Sequence, residues 1–130
     1  MLSYQATNGY VEFTASGYVP AEEAAATFRA IRDDAKVPEG LSWLMDLRQY
    51  DQASMTPDDM PARVSRMVAV LGPKLGPFWA LVIDTQVEHF VYGRLLQSMV
   101  QELDTTVMLF RDASDAREWL EAMTTRRAHS

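Results

Sequence analysis

The sequence predicts a single α/β domain, a mixed and mostly parallel sheet of four to five strands covered by amphipathic helices. Three observations predict it. Asn8-Gly9 separates two short β-prone stretches, the strongest local hairpin signal, because both turn positions need positive φ. Beyond the hairpin, short apolar runs alternate with helical stripes, a pattern of parallel strands joined by right-handed crossovers. The chain also has 130 residues and is 48% hydrophobic, enough for one continuous core.

The elements follow in order. Strands are expected at about 2–7 and 10–16, the second ended by Gly17. Pro20 suits the first turn of a helix, with Glu22 and Glu23 near the positive end of its dipole. Ala24, Phe28, Ile31 and Ala35 form one buried stripe, while Arg29, Arg32, Asp33 and Asp34 fill the solvent face. Pro38-Glu39-Gly40 stops the helix. Leu41 to Leu47 reads as a strand covered on both faces, followed by a polar loop from Gln49 to Thr56. A second helix starts within Thr56-Pro57-Asp58-Asp59, buries Met60, Val64, Met67 and Leu71, and ends at Gly72-Pro73.

Phe78 to Ile83 is the most apolar segment and the fourth strand. Thr85 and Glu88 have capping-box spacing, opening a helix that runs to about Leu103 with Tyr92, Leu96, Met99 and Leu103 on one face. Thr106 to Phe110 is the fifth strand, with Met108 expected at a buried position. Asp112 or Ser114 caps a last helix that buries Ala116, Leu120 and Met123. The order is β-β-α-β-α-β-α-β-α, one domain over residues 1–124 with a frayed tail at 125–130.

Composition removes several classes of function. With no cysteine there is no disulfide framework, thiolate metal site or cysteine nucleophile. A net charge of −6 and arginines scattered in pairs (Arg29 with Arg32, Arg63 with Arg66, Arg126 with Arg127) argue against nucleic acid and against acidic membrane surfaces. The longest apolar run, Phe78 to Ile83, is too short to span a bilayer. The N-terminus has neither a basic segment nor an apolar stretch, so no signal peptide is expected and the location read is cytoplasmic.

Three features resemble the SpoIIAA-like and STAS group of domains. They are a strand ending in Gly17 and running into an acidic helix start, a strand ending Leu44-Met45-Asp46, and the run from Val107-Met108-Leu109-Phe110 to Glu118-Trp119-Leu120. The resemblance implies a four- to five-stranded mixed sheet with helices mostly on one face, and a non-catalytic binding or regulatory role. Some relatives are phospho-switches that bind a partner kinase, and SpoIIAA-like members have been likened to lipid carriers. The Asp-Ser-Ser-Gly-like turn of the phospho-switches is absent here, although Ser54 and Thr56 lie in the corresponding loop.

Candidate residues are few. Asp46, Asp84 and Asp112 are expected at strand ends, where ligands of open α/β sheets bind. Asp84 and Asp112 directly precede helices and read as caps, whereas Asp46 stands too far from its helix for that. His89 falls near Asp84, but no serine sits in a nucleophile elbow and two histidines give no zinc spacing. No catalytic residue, metal site or cofactor is therefore expected. Met60, Met67, Tyr92, Leu96 and Met99 are placed to flank a small apolar pocket. The expected binding residues are Asp46, Ser54, Thr56, Asp84, His89 and Tyr92. The function expected is a non-enzymatic module acting through a protein partner and self-associating as a homodimer. The alternatives are a carrier of a small apolar ligand and, last, a hydrolase of unrecognised type.

Overall fold

The computed structural model describes residues 1–7, 9–51, 58–84, 94, 97, 98 and 105–128. Strand β1 (Leu2–Thr7) pairs antiparallel with β2 (Tyr10–Gly17), and the Thr7–Tyr10 pair closes a two-residue loop in which Gly9 has φ 95°. Strands β3 (Ser42–Tyr50), β4 (Phe78–Val82) and β5 (Thr106–Phe110) add in parallel, giving one five-stranded sheet in the order β1-β2-β3-β4-β5. The mixed, mostly parallel α/β fold is thus as the sequence predicts.

Helix α1 (Ala21–Arg32) links β2 to β3 and α2 (Met60–Leu71) lies between β3 and β4. Because both connections step the same way across the sheet, right-handed crossovers put both helices on one face. There they cover Val11, Phe13, Trp43, Met45, Trp79 and Leu81. Helix α3 (Ala113–Ala128) follows the last strand and is no crossover, so it is free to cover the opposite face, packing Ala116 and Leu120 on Leu44, Ala80 and Val82. Arg94, Gln97 and Ser98 are also helical.

Several local expectations are corrected. Strand β3 runs on to Tyr50 instead of giving way to a loop at Gln49, because its pairing with β2 slips from Thr14–Asp46 to Ser16–Gln49. That bulge adds one residue to β3 and returns Tyr50 to the α1/α2 face. Asp46 accordingly sits within the strand and not at its end. Helix α1 stops at Arg32, where the Asp34 carboxylate accepts the Lys36 N–H at 2.9 Å and turns the chain, so Ala35 is exposed and Val37 is buried instead. Met108 is 41% exposed, since β5 is the sheet's last strand and α3 lies chiefly over β4 and β3. The final helix continues to Ala128, beyond the expected start of a frayed tail, and Met123 is only half-buried on it.

Candidate functional site

The small side chains of α1 create the principal feature. Ala21, Ala24 and Ala25 fall at i, i+3 and i+4, so they share one helix face and hold little volume against the sheet. Opposite them stand Phe13 and Ala15 of β2 and Met45 and Leu47 of β3, with Met60, Val64 and Met67 of α2 as the second wall. Between them lies a cavity of about 590 Å³, within the range of about 300–1,000 Å³ usual for small-molecule sites. Phe28 closes part of it and is itself held by stacking on Phe13, ring centres 5.8 Å apart.

The polar groups of the cavity are gathered where β2 leads into α1. Arg63 Nη2 donates to the Val19 carbonyl at 3.2 Å, and Nη1 stands 3.5 Å from the Tyr50 hydroxyl. The bulge in β3 is what brings Tyr50 to this face. Exposed Tyr18, Asp58, Asp59 and Arg66 complete the lining at the rim.

The carboxylates lie elsewhere. Asp46 shares the α3 face with Leu44 and is bound by Arg48, which donates through Nε at 3.0 Å, Nη2 at 2.8 Å and its backbone N–H at 3.1 Å. Burial pushes the Asp46 carboxyl up, but the Arg48 hydrogen bonds and charge, with Arg117 behind them, outweigh burial and hold it below its ordinary value. Glu12 is likewise engaged, accepting from Arg117 Nη2 at 2.6 Å. Asp112 caps α3, its Oδ1 accepting the Ser114 N–H at 2.6 Å, as expected of an aspartate before a helix. Asp84 is half-buried just past β4 and does not line the cavity among the described residues.

Of the expected acidic rim, Asp46 is thus paired with Arg48 and lies on the face opposite the cavity, and Asp112 serves as a cap. Among the described residues no group of three or more His, Asp or Glu side chains is placed to hold a metal ion. Ser54, Thr56, His89 and Tyr92 lie outside the described residues, as do Leu96 and Met99. Met60 and Met67 line a cavity whose other described walls are α1 and the sheet, whereas the pocket expected between them and Tyr92, Leu96 and Met99 depends on residues outside the described ones. Sequence reasoning missed the α1 wall, Arg63 and Tyr50. The spacing of Ala21, Ala24, Ala25 and Phe28 was the available signal, since small residues on an inward helix face leave unfilled space.

The chain matches no known family model, no curated protein and no solved structure. Among the described residues no helix is long and apolar enough to cross a membrane.

Proposed function

We propose that this chain is a non-enzymatic binding domain for a small apolar ligand, held between α1, α2 and the sheet. One observation carries the reading: a cavity of about 590 Å³ whose walls are alanine, valine, leucine, methionine and phenylalanine side chains. Apolar walls with a few convergent polar groups are the usual composition of such sites. Methionine adds adaptability, since its unbranched thioether fits ligands of varied outline. The SpoIIAA-like resemblance belongs to the same proposal, because it implies a binding role of this kind.

Native mass spectrometry of protein purified without denaturation tests the proposal. A discrete added mass per subunit is expected, and it should disappear in Ala24→Phe, which places a ring inside the cavity. Apo protein that takes up no apolar probe, with Ala24→Phe behaving identically, would rule the carrier out.

A second reading, a self-associating protein-interaction module, rests on Met108, exposed on the last strand of the sheet. The Val107 carbonyl already accepts the Gln97 amide at 2.7 Å, so the contact would be made by the Met108 side chain and not by strand pairing. Sedimentation should then show a dimer that Met108→Lys dissociates. A monomer at all concentrations would end that reading.

A further inference from the structure

We infer that the ligand is an organic acid, an apolar body bearing one anionic head, and that Arg63 holds that head. The inference rests on the carrier reading above and adds the chemistry of the ligand. Helix α2 turns Met60, Val64 and Met67 into the cavity, and Arg63 enters its lining at the end where β3 finishes and the chain passes into α1. Its side chain is half-buried, and its two described acceptors are neutral oxygens, the Val19 carbonyl and the Tyr50 hydroxyl. Among the described residues Arg63 has no ion-paired carboxylate, in contrast to Arg32, Arg48 and Arg117.

A guanidinium has five N–H donors in a rigid fork that matches a carboxylate. Two are committed here, one of them over a long 3.5 Å. A hydrogen bond to an anion is roughly twice as strong as one to a neutral oxygen, so a carboxylate head would outcompete the Tyr50 contact. Arg66, Asp58 and Asp59 also belong to the lining, but all three side chains are exposed at the rim, where water and salt screen them, while Arg63 is half-buried. The apolar walls then accept the body of the molecule. A neutral or cationic head would leave the Arg63 charge uncompensated or repelled.

Decanoate, 1-decanol and decylamine share one chain and differ in the head, so calorimetric titration with each separates the terms. Decanoate should bind roughly tenfold or more tightly than decanol, with decylamine weakest. Arg63→Gln, which keeps an N–H for Val19, should weaken decanoate by a similar factor and leave decanol unchanged. Arg63→Lys, which keeps the charge, should retain the preference for the acid, and melting curves of both variants show that they are folded. Equal binding of decanoate and decanol, or a preference that survives Arg63→Gln, overturns the acid assignment while leaving the carrier reading intact. Failure of all three compounds to bind the unaltered protein overturns the carrier reading itself.

Discussion

The Lys74 ammonium donates to the backbone carbonyl of Asp34 at 3.0 Å, and to that of Val37 as well, joining the turn after α2 to the chain that leaves α1. The same turn receives the Gly40 N–H on the Pro73 carbonyl at 2.9 Å and the Trp43 indole on the Lys74 carbonyl at 3.2 Å. The two helices that wall the cavity are thus fastened at the end away from Arg63. Hydrogen bonds to a charged donor contribute about 1.5–3 kcal/mol, and their loss takes the charged donor from two part-buried carbonyls, of which that of Asp34 keeps the Val37 N–H at 3.1 Å. Lys74→Met should lower stability by about that amount in urea titrations, with an unchanged m value. A loss below about 0.5 kcal/mol would show the ammonium to be incidental.

The two core tryptophans provide a comparison. Trp43 and Trp79 are both buried, with ring centres 6.0 Å apart. Trp43 donates its indole N–H, whereas the Trp79 indole nitrogen is buried with no acceptor among the described residues. Replacing either by phenylalanine removes similar volume, so the hydrogen bond should decide the difference. Trp43→Phe is expected to cost about 1 kcal/mol more than Trp79→Phe in chemical denaturation. Equal losses would mean that packing alone sets both.

Gly76 is a position where a side chain has no room. A Cβ there would lie 1.8 Å from the Leu41 carbonyl oxygen and 2.7 Å from the Ser42 nitrogen, both backbone atoms at the start of β3. Gly76→Ala must therefore displace β3 from the strand that follows Gly76. It should cost more than about 3 kcal/mol, or abolish folding. Gly17→Ala has open space around it and only a φ of 66° to oppose it, so about 1–2 kcal/mol is expected there. Thermal melts of the two variants side by side check the ordering.

The Asp46–Arg48 pair predicts an acid dependence. The folded carboxyl titrates below its ordinary value of 3.8. A group depressed in the folded state contributes stability above its unfolded pKa, and that contribution fades as pH falls through the folded value. Asp46→Asn should thus destabilise at neutral pH, by no more than about 1 kcal/mol because the pair is partly exposed. The difference should shrink as the pH falls below about 4 and vanish in stronger acid. Ligand binding should be unaffected, since Asp46 faces α3. A binding defect with unchanged stability would instead make Asp46 part of a site.

Much of the architecture was legible along the chain because its signals are local. The hairpin is written in Asn8-Gly9, β5 spans Thr106–Phe110 as its apolar run predicts, and the α2 stripe of Met60, Val64, Met67 and Leu71 is buried as its spacing requires. The misreadings share a cause. Asp46 and Gln49 look like strand end and loop in the sequence because a bulge depends on the neighbouring strand and leaves no mark in periodicity. Met108 alternates like a core residue, yet its burial depends on how far α3 reaches across the sheet.

The class of fold, the hairpin and the capping role of Asp112 are written locally along the chain, because each follows from residues within a few positions of one another. It is the packing of distant elements that leaves three alanines of α1 facing open space, turns Tyr50 inward and brings Arg63 to Val19 and Tyr50 across separations of 44 and 13 positions. A cavity is unfilled volume between elements. Its size depends on how far apart the helices and the sheet are held, and no residue-by-residue pattern records that distance.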